Sequence, residues 1–441
     1  MEKSKALELI NQLMKIHPKG YDLSLGRIGR LLEKLGNPQD KLPPVIHVAG
    51  TNGKGSTIAL CRAMLEADDK IVHVDTSPHL VHYHERFRIG QKGGGKFVSD
   101  EELANALQRV ADANNGQPIT VFEILSATMF ILFAENPADV ALIEVGLGGR
   151  FDSTNVIKKS AVSVITPISL DHEKFLGDAV EKIAFEKAGI IKTGCQVVIA
   201  EQGDLSRNVL ENRAMRVGAP IAIGGQDFSS HDERGRLIYQ DENGLLDLPM
   251  PKLFGDHQVI NATTAIAALR YGGFDISNEA IEVGLSNVYW PGRLQKLQGG
   301  ALQEFAPLGS ELWVDGGHNP NAGEAISAFF QELNGRDSRK LILVFGMLKT
   351  KDPEGYIQEF SKLADQVYTV PITSSDAGYL PEELAEIAQN AGLAAKPVDS
   401  VRDALDKIKA NWVGEQGPRI LFSGTLYLVG DVLAQNKTPP V

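Results

Sequence analysis

Short apolar runs rich in β-branched residues alternate along this chain with longer segments whose apolar positions recur every three or four residues. "PPVIHVAG", "KIVHVD", "DVALIEVG", "SAVSVITP" and "CQVVIAE" each read as a buried strand. "STIALCRAMLEAD" and "TVFEILSATMFILFAE" read as helices lying between some of them. The alternation predicts a parallel sheet covered by helices. From about residue 226 to 248 the text turns polar and hairpin-like, "SSHDERGRLIYQDENGLLDLP", which predicts an insertion or small β element. Helical patterns return at "HQVINATTAIAALRYGG" and "NEAIEVGLSNV". After "YWPGRLQKLQGG" the α/β alternation starts afresh with "ELWVDGGHN", "KLILVFGM", "DQVYTVPI" and "RILFSGTLYLVG". Turn signals at Pro291-Gly292 and Gly299-Gly300 put a boundary near residue 297, so two domains are expected, 1–296 and 297–441. The opening stretch predicts an amphipathic helix with Leu7, Ile10, Leu13 and Met14 on one side.

Composition narrows the classes. The 441 residues are 43% hydrophobic and 23% charged, as in an ordinary globular protein. A net charge of −12 argues against nucleic acid or an anionic membrane as partner, so an anionic ligand must be held by local positive groups. Only Cys61 and Cys195 occur, far apart and without metal spacing, and the first residues lack a secretory pattern. The expectation is a cytoplasmic monomer acting on small molecules.

Candidate chemistry begins at "AGTNGKGST". It resembles a phosphate-binding loop but breaks the usual G-x-x-x-x-G-K-[ST] pattern. Val48 stands at the first glycine position, and Gly55 separates Lys54 from the hydroxyls of Ser56 and Thr57. The loop follows an apolar strand and precedes a helical pattern starting near Ser56. Glycines there turn backbone N–H groups toward one point, and the helix N-terminus adds positive potential. Lys54 supplies a charge for phosphate oxygens.

Other candidates stand at strand ends, where open α/β sheets bind ligands. Glu144 in "LIEVGLGGRFDSTN" suits magnesium, with a structural salt bridge as the alternative. The glycines that follow make only a partial dinucleotide pattern, because Phe151 holds the third glycine position. His172 follows the strand of "ITPISLDHEKFLG", and Ser77 that of "KIVHVD". Lys187 lies in a helical pattern among apolar neighbours, where a charged tip reaching water is the ordinary reading. His73, His79, His82 and His84 cluster without a cysteine pair or H-E-x-x-H, and read as surface or substrate-edge histidines before zinc ligands.

Together, and in order, "HVAGTNGKGST", "SPHL" followed by "ER", "EVGLGGRFDSTN", "LDHEKFLG", "EKAGIIK", "HQVINA", "PGR", "DGGHNP" and "SGTLYL" resemble the folylpolyglutamate synthase/dihydrofolate synthase family, related to the Mur ligases. In that family a glycine between lysine and hydroxyl is the norm. The resemblance implies an α/β fold: a P-loop ATPase-type parallel-sheet domain, then a smaller Rossmann-like α/β domain, with ATP at the domain interface. It implies ATP phosphates on Thr51, Asn52, Gly53, Lys54, Gly55, Ser56 and Thr57, with Asn261, Arg293, Asp315 and His318 closing over the nucleotide. Ser77, Glu144 and His172 match magnesium ligands for two Mg2+ ions, and Lys187 matches a carbamoylated lysine. Lys54, Lys187 and His318 match the catalytic set. Asp22, Arg27, Thr120, Phe122, Glu123, Phe151, Asp152 and Ser153 fall in segments matching the pterin site. Lys349 and Thr425 carry over less directly.

The implied activity is ATP-dependent addition of L-glutamate to dihydropteroate and to reduced folates through an acyl phosphate. "SPHL" resembles bifunctional bacterial members, whereas His84 before Glu85 departs from the pattern. The alternatives are a dedicated folylpolyglutamate synthase, a Mur-type ligase, or a nucleotide-binding protein without ligase activity. A Mur-type nucleotide-sugar domain is not expected, with the loop starting at about residue 50.

Overall fold

In a computed structural model that describes residues 4–16 and 24–440, each apolar run quoted above contains a strand. The chain divides into two units. The first comprises Met1–Pro78, Tyr83–Lys252 and Gln258–Tyr289. The second comprises His79–His82, Leu253–His257 and Trp290–Val441.

The first unit is built on a sheet of β1 (Val45–Ala49), β2 (Val72–Asp75), β3 (Phe87–Ile89), β4 (Lys96–Phe97), β5 (Val140–Glu144), β6 (Val162–Ile165), β7 (Gln196–Ile199) and β8 (Ile221–Ile223). Their spatial order is β4-β3-β2-β5-β1-β6-β7-β8. From β2 to β8 the pairing is parallel, and the β3–β4 hairpin adds antiparallel at the edge. β1 and β5 are buried at every position, which is why they read as unbroken apolar runs.

Helix Val121–Glu135 is apolar almost all round because most of it is buried, and Thr120 and Glu123 close its N-terminus as a reciprocal capping box. Truncating one of its fully buried side chains, such as Ile124→Ala, costs about 2–5 kcal/mol. Helix Asn278–Asn287 packs closely on helix Lys54–Ala67: a Cβ on Gly284 would lie 2.6 Å from the Met64 backbone. The polar stretch is a separate antiparallel sheet of β9 (Ser229–Glu233), β10 (Arg236–Asp241) and β11 (Gly244–Pro249).

The second unit carries β12 (Gln295–Lys296), β13 (Glu311–Asp315), β14 (Leu341–Phe345), β15 (Ala364–Thr369), β16 (Ala395–Pro397) and β17 (Arg419–Ser423), ordered β12-β13-β17-β14-β15-β16. All pairs are parallel except β12 with β13. Apolar clusters lie on both faces of this sheet.

Three expectations are corrected. The division falls at 289/290 and not at 296/297, because Gln295 and Lys296 pair with Val314 and Trp313 in the second sheet. Helix Lys5–Ile16 packs through Ala6, Ile10 and Leu13, while Leu7 is exposed. The helix after the glycine loop starts at Lys54, ahead of Ser56, with Gly53 as its N-cap. Among the described residues, no helix is long and apolar enough to cross a membrane.

Candidate functional site

The loop at residues 50–57 leaves the C-terminal end of β1 and is tied to the segment after β6. Thr51 and Asn52 amides donate to the Pro167 carbonyl at 3.0 and 3.2 Å. The Thr51 hydroxyl donates to the Ser169 carbonyl at 3.0 Å, and the Thr166 hydroxyl to the Asn52 carbonyl at 2.7 Å. Two glycines are required by contact. A Cβ on Gly50 would overlap the Thr166 side chain, and one on Gly53 (φ 87°) would overlap Asn261. Asn261 is buried and held by Gln258 at 3.0 Å, so it stands as a fixed wall beside the loop.

Lys54 donates to the carbonyls of Gly50 and Thr51, each at 3.2 Å, with Glu144 Oε1 at 3.9 Å. Ser56 and Thr57 are buried in the first helical turn. The Thr57 Oγ1 has no hydrogen-bond partner, an open place for a ligand. A half-buried glycine turn opening a helix N-terminus, a lysine, a partnerless hydroxyl and a nearby carboxylate fit a nucleotide phosphate with a divalent cation.

Glu144 ends β5 and is buried; its Oε2 accepts the Ser77 amide at 3.2 Å. Two further carboxylates stand near it. Burial pushes Asp75 up to about 8; Arg86 opposes this, and the Glu144 and Asp152 charges add to it. Burial also raises Asp152, although four donors hold its oxygens. Such crowding of negative charge favours a cation. Among the described residues no three His, Cys, Asp or Glu side chains are close enough to hold a metal by themselves, so a cation here would draw on hydroxyls and bound oxygens too. His172 has a left-handed backbone (φ 53°) before the short helix Glu173–Leu176, and its amide is capped by Asp171 at 2.8 Å.

Lys187 closes helix Val180–Lys187 and is 5% exposed, so its tip does not reach water as expected. Its Nζ donates to the Gly50 carbonyl at 2.8 Å. Gly149 passes against this helix end, and the Arg150 amide donates to the Glu186 carbonyl at 2.8 Å.

The segments expected to face a pterin converge within the first unit. Arg27 Nε donates to Glu123 Oε2 at 3.1 Å, and Thr120 donates to the same oxygen from its amide and hydroxyl. Glu123 Oε1 is buried without a hydrogen-bond partner. Phe122 is exposed, Phe151 lies under the Arg150 guanidinium at 4.6 Å, and Ser153 bonds Ser126 at 2.6 Å. Asp22 lies outside the described residues.

In the second unit the C-terminal ends of β13 and β17 carry the polar groups. Asp315 accepts the amides of Leu294 at 2.7 Å and Gly317 at 2.6 Å. His318 Nδ1 bonds the Gly316 carbonyl at 2.8 Å, and Arg293 Nη1 donates to the Gly292 carbonyl at 3.0 Å. A Cβ on Gly316 would overlap Leu426 and approach Arg293, so the backbone must be bare there. Thr425 caps helix Leu426–Gln435, and Lys349 pairs with Glu383 at 3.4 Å.

His73 is corrected from a surface reading: it is fully buried, bonds the Asn136 carbonyl and the Gly90 amide, and stacks on Phe133. Both cysteines are buried thiols, and burial pushes Cys61 up to about 12. Sequence reasoning missed Asp75, Thr166 and the pair His47–Thr154. Asp75 obeys the same strand-end rule that selected Ser77, two residues later; His47 and Thr154 stand inside two of the motifs that carry the resemblance, but nothing in the pattern pairs them, and Thr166 lies in none of those motifs.

Residues 48–269 match the family model described as Mur ligase middle domain, and residues 302–426 that of Mur ligase, glutamate ligase domain. The dihydrofolate synthase/folylpolyglutamate synthase of Bacillus subtilis is 32% identical over 446 residues, covering 95% of this chain and 96% of that protein. FolC of Escherichia coli, solved in complex with DHPP and ADP, superposes with a TM-score of 0.86 at 30% identity, covering 97% of each chain. A bifunctional folylpolyglutamate synthase/dihydrofolate synthase of Yersinia pestis, complexed with AMPPNP and Mn ion, gives 0.85 at 29% identity over 98% of each chain.

Proposed function

Since the chain belongs to the Mur ligase family, alongside its dihydrofolate synthase/folylpolyglutamate synthases, we propose that it joins L-glutamate to dihydropteroate and to reduced folates at the expense of ATP. The observation that carries the reading is the loop of residues 50–57, with Lys54 at 3.9 Å from Glu144 and Lys187 on the Gly50 carbonyl. The E. coli relative solved with DHPP and ADP supports the acceptor class, and the Y. pestis relative solved with Mn supports a divalent cation.

ATP with its cation supplies a phosphoryl group to the acceptor carboxylate, and the glutamate amine then displaces phosphate to form the amide. The chain needs no nucleophilic side chain; it positions groups and balances charge. The N–H groups of residues 53–56 hold phosphate oxygens, and Lys54 leaves its backbone carbonyls to share their charge. Thr57, Ser77, Glu144 and His172 are the proposed cation ligands, for two Mg2+ ions. Lys187 is proposed to carry a carbamate, formed from its neutral amine and CO2 with release of a proton. That change would turn a cation, which repels magnesium, into an anion that could hold it. Thr51, Asn52 and Asn261 line the loop and are assigned to the nucleotide, and so are Arg293, Asp315 and His318 of the second unit. Arg27, Thr120, Phe122, Glu123, Phe151, Asp152 and Ser153 are assigned to the acceptor. The partnerless Glu123 oxygen supports this, since a pterin offers ring N–H donors.

The test is product analysis with ATP, Mg2+, L-glutamate and either dihydropteroate or tetrahydrofolate. ADP, phosphate and an acceptor one glutamate heavier are expected. Turnover of a nucleotide-sugar acceptor instead, or of none, overturns the reading.

A further inference from the structure

His47 sits in the middle of β1 and is 1% exposed; it opens the stretch "HVAGTNGKGST", but no role has been assigned to it above. Its Nε2 lies 2.9 Å from the Thr154 hydroxyl, which in turn donates to Asp152 Oδ1. Thr154 has a single hydroxyl proton, and it is directed at a carboxylate that can only accept. At His47 the hydroxyl is therefore the acceptor, and Nε2 carries the hydrogen. Burial, with the Lys192 charge adding to it, pushes His47 down to about 3, so the ring is neutral at any working pH. The relay thus has one direction, His47 to Thr154 to Asp152.

Asp152 passes that constraint on. Its Oδ1 also accepts the Thr154 amide at 2.9 Å, and its Oδ2 accepts the amides of Gly146 and Leu147 at 3.0 Å each. The carboxylate therefore pins the turn after Glu144 to the turn holding Phe151 and Ser153. All three relay side chains are nearly excluded from water, where a lost hydrogen bond is not replaced by solvent.

We propose that His47 is a positioning residue for the folate acceptor: through Thr154 it holds the Asp152 carboxylate, and with it residues 151–153, in the conformation that binds the pterin. This rests on the folate reading above. A histidine that only fills the core would contribute to stability and leave no trace in the affinity for one substrate.

The experiment compares His47→Leu, His47→Gln and Thr154→Val in steady-state assays with dihydropteroate and ATP varied separately. His47→Leu removes the donor; His47→Gln replaces it with an amide N–H. The lost hydrogen bond is expected to raise the acceptor KM by about tenfold in His47→Leu, or 1.4 kcal/mol, with ATP KM and kcat within about twofold. His47→Gln should return the acceptor KM to within about threefold of wild type, and Thr154→Val should match His47→Leu, with no further loss in the double variant. Should His47→Leu not fold, Thr154→Val against His47→Gln carries the same comparison. Amide exchange at Gly146 and Leu147 should quicken in His47→Leu and Thr154→Val but not in His47→Gln. Acceptor and ATP KM rising together, or neither moving in a wild type that uses pterins, overturns the inference alone. A wild type that turns over no pterin overturns the folate reading and the inference with it.

Discussion

Lys187 and Lys54 both donate to one oxygen, the Gly50 carbonyl, at 2.8 and 3.2 Å. Two ammonium groups converging on one neutral acceptor repel each other, and an anion at that point relieves the repulsion. A phosphate at the loop is one such anion, and a carbamate on Lys187 is another. Lys187→Ala is expected to lose at least about 100-fold in kcat, with partial recovery in added acetate. With 13C-bicarbonate, a carbamate signal should appear in wild type and be missing from the variant. A wild type showing only a free amine under these conditions removes the carbamate from the mechanism.

Lys54→Ala should lower ATP-dependent phosphate release by about 100- to 1000-fold, the range typical of losing one preorganised charge at a transferring group. Its hydrogen bonds are to two loop carbonyls and its side chain is partly open to solvent, so little stability goes with it. The thermal midpoint is expected to stay close to wild type. Near-normal turnover in a folded variant would take the loop out of the chemistry.

Glu144 stands among carboxylates whose charges raise Asp75. Glu144→Gln keeps an oxygen that can accept the Ser77 amide while removing the charge that would hold a metal. The variant should stay close to wild type in stability in chelator at pH 7, because the shape and the Ser77 bond are kept, yet need far more Mg2+ for activity. Denaturant titration and a Mg2+ titration read the two effects apart. An unchanged Mg2+ dependence would rule Glu144 out as a ligand.

Much of this was legible in the sequence, for reasons that differ by element. β1 and β5 are buried on both faces, so their apolar runs could be read directly, and the glycine loop announced itself because its lysine has no packing role. Periodicity places Leu7 on the packed side because it defines a stripe but not which edge of it meets a neighbour. Here the Ser4 hydroxyl and Lys5 amide bind Asp100, which turns Ala6 inward. His73 looked like part of a surface cluster. Its partners, the Asn136 carbonyl and Gly90 amide, are fixed only once the sheet is assembled. The buried tip of Lys187 likewise depends on Gly50, 137 positions earlier in the chain.

His47 also makes a prediction about pH. Its folded value, about 3, lies below the ordinary 6.5, so between those values the unfolded chain binds a proton that the folded one refuses. The contribution of His47 is complete above about pH 6.5 and is lost as pH falls toward 3, by about 1.4 kcal/mol per unit for one proton. Burial depresses His73 and His257 as well, so the total slope has several sources. The informative quantity is the difference between proteins: His47→Gln should show a shallower acid-side loss in denaturant titrations from pH 7 to 5. Parallel curves for the two proteins would mean that His47 is protonated in the folded state.

The choice of acceptor is the most demanding expectation. Dihydropteroate presents a carboxylate on its aminobenzoate ring, whereas a reduced folate presents one at the end of a glutamate side chain. Both need the same activation at the loop, so one phosphate site serves both reactions. What must differ is where the pterin rests, since the two carboxylates lie at different distances from it. The segments proposed for the pterin are joined by Arg27–Glu123 at 3.1 Å and Ser126–Ser153 at 2.6 Å, so moving one against the other breaks these bonds. Two registers within one frame therefore require separate contacts. Phe122, exposed at the start of its helix, and the partnerless Glu123 oxygen are the candidates on one side; Phe151 and Ser153 are those on the other. Glu123→Gln keeps the shape but exchanges an acceptor for a donor, and Ser153→Ala removes a hydroxyl. If the registers are distinct, the two variants should raise the KM of dihydropteroate and of tetrahydrofolate by unequal factors, in opposite order. Wild-type turnover of tetrahydrofolate with none of dihydropteroate would make the enzyme a dedicated folylpolyglutamate synthase, and equal factors in both variants would place both acceptors in a single register.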